Sequence, residues 1–142
     1  MHAGRGEKSL DDDAVSRRAL KTFFEIVRTF ASAGVTVIAE AAFQDKLWRP
    51  GLEPLLDLAE MRVIRCEVAP VVARERIIRR LAEQPMNRAS QNDRELLKQL
   101  DRGKLSFEAF QPISISVPSL RVDTTNGYDP NLDHIVAFVN QR

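Results

Sequence analysis

The chain is short of several things, and each shortage excludes something. It has one cysteine, Cys66, in 142 residues. That rules out an internal disulfide framework and fits a reducing compartment. Its two histidines, His2 and His134, lie far apart and with a lone cysteine make no zinc-binding spacing. No long hydrophobic run exists: Val35 to Ala39, with Thr36 inside, is far too short to span a bilayer. The N-terminus is polar and acidic after Met1, unlike a secretory signal, so a cytoplasmic protein is expected. Neither sign of charge is in excess. Lys and Arg number 21 against 20 Asp and Glu, a net charge of +1, so no global field favours nucleic acid or an acidic membrane. The six glycines (Gly4, Gly6, Gly34, Gly51, Gly103 and Gly127) form no Gly-x-x-x-x-Gly-Lys-Ser/Thr. The loop that cradles a triphosphate with backbone N–H groups and a lysine is therefore absent. No Ser-His-Asp or Cys-His arrangement can be assembled from what remains.

What is present is an ordinary globular composition, 44% hydrophobic and 29% charged, in a length that suits one domain with a modest core. Residues 1–12 read as a flexible lead-in, with Asp11, Asp12 and Asp13 placing negative charge where a helix dipole begins. Leu20, Phe23, Phe24, Val27, Phe30 and Ala31 recur at helical spacing, and Gly34 marks the stop. Val35–Ala39 reads as a strand buried on both faces, ending at Glu40. A loop over Ala41–Pro50 leads to a short helix around Leu52–Glu60, with Leu52, Leu55, Leu56 and Ala59 inward. Arg62–Val68 is a second strand with Cys66 buried in it, and Pro70 opens a helix that runs to Glu83. Asn87–Asp93 reads as a loop, Glu95–Leu100 as a helical turn or two, and Leu120–Asp123 as a third strand. Asp129-Pro130 then starts a last helix, Asp as cap, with Leu132, Ile135, Val136 and Val139 inward. Strands alternate with helices and no hairpin joins two strands, so an α/β fold with parallel strands is expected.

Three stretches now fall together. Ala33-Gly34-Val35-Thr36-Val37-Ile38-Ala39-Glu40 resembles the third strand of small P-loop kinases and its acidic end. Cys66-Glu67-Val68-Ala69-Pro70, followed by Arg74, Arg76 and Arg80, resembles their fourth strand and the arginine-rich helix leading to the lid. Val117 to Tyr128 resembles the fifth strand and the loop near the adenine. Together they resemble the AAA-type predicted P-loop kinases, relatives of the zeta-toxin and chloramphenicol phosphotransferase-like enzymes, over roughly residues 14 to 140. The resemblance implies a three-layer P-loop NTPase-like parallel sheet that has lost its first βαβ unit, with residues 13–142 as the partial kinase-like domain. In the intact family sheet the fourth and fifth strands are neighbours. The phosphate-loop strand lies between the third and the fourth. Without it both neighbours lose ladder partners at about 1–3 kcal/mol per buried unpaired group. Such a chain is expected to be marginal alone, to adopt another sheet order, or to depend on a partner strand.

The same resemblance implies phosphoryl transfer from ATP to a hydroxyl of a small-molecule acceptor, with ATP and Mg²⁺ as cofactors and no role for nucleic acid or membrane. Glu40 would hold Mg²⁺ through water or orient the acceptor; otherwise it is a strand-end carboxylate meeting solvent. Arg76 and Arg80 would neutralise charge on the transferring phosphoryl, with Arg88 behind them; otherwise Arg76, Arg79 and Arg80 form a solvated basic helix face opposite Ile77, Ile78 and Leu81. Asp123 and Thr124 would meet the adenine or ribose, or simply supply turn chemistry before Asn126-Gly127. Trp48 and Arg49 would face the acceptor, or pack. Lacking the Gly-rich loop, the chain is expected to be inactive by itself. A separate chain or missing segment would supply that loop. The alternative is a non-catalytic binding module that pairs its open sheet with a partner chain.

Overall fold

The computed structural model describes residues 7–86, 88–103 and 111–141. The chain divides into two units, Met1–Glu60 with Ile113–Ile115, and Met61–Pro112 with Ser116–Arg142. Among the described residues the elements are five α-helices, a 3-10 helix and two strands, so the class is mixed α/β.

The first unit is built on α1, Glu7–Ser32. It starts inside the stretch read from sequence as a lead-in. Leu20, Phe23, Phe24, Val27 and Ala31 form its half-buried stripe, as their spacing requires. Phe30 is instead exposed. The stop is a Schellman closure: the Val35 N–H donates to the Phe30 carbonyl at 2.9 Å and the Gly34 N–H to that of Ala31 at 3.0 Å. Gly34 takes the left-handed conformation this needs, at φ +72°.

The sequence reading fails in the next stretch. Val35–Ala39 belongs to no strand, and Ile38 is 93% exposed. β-branched residues favour a pleated surface only where a neighbouring strand offers hydrogen bonds, and none does so among the described residues. The loop expected over Ala41–Pro50 is half helix: α2 spans Asp45–Leu52, and a 3-10 helix follows over Glu53–Asp57. Pro50 and Pro54 each remove an N–H donor, which keeps the helix short and tightens its continuation. Leu52 and Leu55 are buried as expected, whereas Leu56 and Ala59 face out.

Phe23, Phe24, Phe43 and Trp48 interlock edge to face, with centroids 4.9 Å apart for Phe43 and Trp48 and 5.0 Å for Phe23 and Trp48. Gly51 is the floor for Phe24, because a Cβ there would lie 2.3 Å from the ring.

The second unit holds the sheet. β1, Val63–Glu67, pairs in parallel with β2, Ser119–Asp123, with Ile64 beside Leu120 and Cys66 beside Val122. One face carries Ile64, Cys66, Leu120 and Val122; Val122 is fully buried, but Cys66, expected to be buried, is exposed. With one strand neighbour among the described residues, β1 is an edge rather than a central strand. The other face is charged: the Arg65 guanidinium lies 3.7 Å from the Glu67 carboxylate, which Arg121 also engages.

α3 spans Pro70–Glu83, with Pro70 in its first turn, and α4 spans Arg88–Asp101. The loop expected up to Asp93 is therefore helical from Arg88. α5 is Leu132–Asn140. Its cap is Asn131, not Asp129: the Asn131 side chain accepts from the His134 N–H at 3.1 Å, while Asp129 bridges to Asp123. Ile135 and Phe138 are half-buried, and Leu132, Val136 and Val139 face out. The Arg62 side chain donates to the Gln141 carbonyl, fastening the end of α5 to the start of β1.

Replacing Gly51 with Ala should displace Phe24 and destabilise the first unit by about 1–2 kcal/mol, since overpacking costs about 1–3 kcal/mol and better helix propensity returns up to about 1. Trp48, the sole tryptophan, reports it: its emission should move in the folded variant and its melting temperature should fall.

Candidate functional site at the carboxyl ends of the strands

In a parallel sheet the strands deliver their carboxyl ends to one edge, where ligands of such folds bind. Here those ends are Glu67 and Asp123. The chain leaving β2 is tied back at once. The Thr124 N–H and hydroxyl both donate to the Glu67 carbonyl, at 2.8 and 3.0 Å. Asp123 and Asp129 exchange backbone bonds at 2.8 and 3.0 Å, closing the loop around Asn126-Gly127. The Thr125 N–H donates to the Asp123 carboxylate at 2.7 Å, an Asx turn. The hydrogen bonds from Thr125, side chain and backbone, hold the Asp123 carboxyl below the usual range, helped by Arg121 and Arg76.

Arg76 reaches this loop from α3. Its Nη1 donates to the Thr124 hydroxyl at 3.3 Å, and its Nη2 donates to the carbonyls of Thr124 and Thr125, the latter at 3.1 Å. Arg76 thus lies on the inward side of α3 beside buried Ile77, not on a basic face opposite it, and Ile78 is exposed instead. A guanidinium is accommodated there because the turn supplies it with carbonyl oxygens.

Arg80 is engaged elsewhere. Its Nε and Nη2 fork onto the two oxygens of Asp93 on α4, at 2.7 and 2.8 Å. Asp93 is nearly buried and the Arg80 side chain half exposed. This hydrogen bond raises the already high pKa of Arg80. Around the pair, the Ser90 hydroxyl donates to the Gln84 carbonyl, Arg94 to the Pro85 carbonyl, and Arg74 to Asp101 at 2.9 Å. Together these close α3 and α4 into a hairpin.

The other expected site residues are placed as follows. Glu40 is exposed on the irregular stretch of the first unit. Trp48 lies in the aromatic cluster, and Arg49 pairs with Asp45 on its own helix at 3.3 Å and with Glu53, the first residue of the 3-10 helix, at 3.8 Å. Arg88 begins α4; its side chain lies outside the described residues. The structure therefore brings together Arg76, Asp123 and Thr124. Sequence reading missed Asp93 and Glu67. Asp93 was hidden by the loop reading, since only a helical α4 turns it toward Arg80. Glu67 was as visible as Glu40, a carboxylate ending a strand.

The Arg76 and Arg80 guanidinium groups already serve protein oxygens. Among the described residues no group of three or more His, Cys, Asp or Glu gathers for a metal. Nor is any helix among them long and apolar enough to cross a membrane. Comparison with family models, curated proteins and solved structures finds no match to this chain.

Two outcomes test this account. Arg80→Ala should cost about 1–2 kcal/mol in urea unfolding, reduced from a fully buried pair by the solvent around Arg80. Adding Asp93→Ala should then cost little more. For Asp123, a depressed pKa gives stability that is present above the ordinary carboxylate value and is lost as pH falls through the folded one. Asp123→Asn should therefore lower the melting temperature at neutral pH, and the difference from wild type should narrow below about pH 3.9.

Proposed function

We propose that this chain is a strand-accepting binding module without catalytic activity of its own, built on the substrate-and-lid half of a P-loop phosphotransferase architecture. The observation that carries it is the β1 edge. The Val63 N–H reaches the Pro118 carbonyl and the Glu67 carbonyl receives Thr124 N–H. In a parallel ladder that register points the N–H and C=O of Ile64 and Cys66 to the opposite side. No strand meets them there among the described residues. A strand added at that edge gains main-chain hydrogen bonds and covers Ile64 and Cys66.

The kinase side of the reading rests on the two sequence stretches that form β1 and β2 and on the parallel pairing of those strands. A partner chain carrying a Gly-rich loop would complete a phosphotransferase acting on a small-molecule hydroxyl. In that assembly Arg76 would have to exchange the Thr124 and Thr125 carbonyls for phosphoryl oxygens. Asp123 and Thr124 would sit at the nucleotide's edge.

Calorimetry with Mg-ATP tests the chain alone. No saturable heat in the millimolar range is expected. Tight one-to-one binding would contradict the proposal, and loss of that binding in Arg76→Ala would reassign Arg76 to the nucleotide.

A further inference from the structure

The chain contains two unmet halves of one interaction. One is the β1 edge, with Ile64 39% exposed and Cys66 exposed beside it. The other is the stretch Val35–Glu40, whose composition suits a strand and whose residues are all exposed in no sheet. Val35, Val37 and Ile38 are large apolar side chains open to solvent. An apolar β-branched segment and an open strand edge in one sequence are complementary in both hydrogen bonding and burial.

We propose that a second copy of this chain supplies the missing neighbour of β1: residues 35–40 of one molecule add antiparallel to the β1 edge of another, and the exchange is reciprocal. The structure leaves 35–40 out of its own chain's sheet, and reciprocal exchange makes a closed two-fold dimer.

Charge fixes the direction. Parallel addition with Ile38 on the apolar face would leave Glu40 beside Cys66 or Val68, on the face away from Arg65. Antiparallel addition brings Glu40 to the Arg62 end, opposite charges facing. The same charge pair fixes the register on the apolar face. Ile64 and Cys66 share that face, and their backbone groups point outward. Placing Ile38 opposite Ile64 puts Thr36 opposite Cys66 and Glu40 opposite Arg62. A slip by one residue would turn Glu40 away from the face of Arg62 and bring Val35 and Val37 beside Ile64 and Cys66 in place of Ile38. The inference rests on the β1 edge being a strand-accepting surface and gives that surface one occupant.

Cysteine cross-linking with the native Cys66 tests it. Opposed residues in such a hydrogen-bonded pair have Cα atoms about 5.5 Å apart, inside the disulfide range of about 4.4–6.8 Å. Wild type should sediment at twice the chain mass. Thr36→Cys should give a covalent dimer on a non-reducing gel, abolished by adding Cys66→Ser. Val35→Cys and Val37→Cys, facing the other side, should not. Ile38→Pro, which removes one donor from an exposed and irregular stretch, should weaken the dimer at least tenfold without lowering the monomer's stability. Three results would overturn the proposal. Equal cross-linking from positions 35, 36 and 37 would deny a strand. A monomer with no disulfide of either kind would reject the second copy while leaving the edge open to another partner. A monomer in which Thr36→Cys bonds Cys66 within one chain would reject the strand-accepting reading as well.

Discussion

The parallel ladder between Val63–Glu67 and Ser119–Asp123 is the constraint on which the second unit depends. It aligns the carboxyl ends, so that Thr124 can bond back to Glu67 and Arg76 can close the turn. It also leaves one side of β1 facing no strand among the described residues. A two-stranded sheet is marginal in water, and helices or further strands must stabilise it. Here α3 and α4 form a hairpin locked by the Arg80–Asp93 fork, and among the described strand residues Val122 is the one in the core.

The buried apolar residues among those described are Leu52, Leu55, Ile77, Ile113 and Val122. Against them stand Ile38, Leu132, Val136 and Val71, all half exposed or more. Stability of a domain is a small difference between large terms, about 5–15 kcal/mol, and apolar burial is its main source. Covering such open apolar side chains adds to stability. A partner strand on β1 is the most direct way, because it satisfies backbone groups and apolar side chains at once. The guanidinium groups read from sequence as lid machinery meanwhile serve the fold, one on carbonyls and one on a carboxylate.

Elements whose signal is local were legible in the sequence. The α1 stripe from Leu20 to Ala31, the Gly34 stop, Pro70 at the start of α3 and both strands of the sheet follow from spacing, caps and punctuation that act within a few residues. What was not legible depends on distant partners. Val35–Ala39 has the composition of a strand, but composition cannot supply a neighbour. Asn87–Asp93 looks polar and loop-like, yet Asp93 faces Arg80 and Ser90 caps the end of α3, so these two polar residues help to close the hairpin. Asp129 was a plausible cap, but its backbone bridges to Asp123 and the helix begins beyond it at Leu132, where Asn131 is the cap. In the site, Arg76 and Thr124 were found by position along the chain, while their bond to one another crosses 48 residues.

Residue-resolved amide hydrogen exchange on the dilute monomer tests the central claim most directly. The ladder protects the amides of Val63, Arg65 and Glu67 and leaves those of Ile64 and Cys66 open, so protection should alternate along β1. Uniform strong protection of all five would show that β1 already has a neighbour on both sides, and the open edge on which the functional reading rests would not exist.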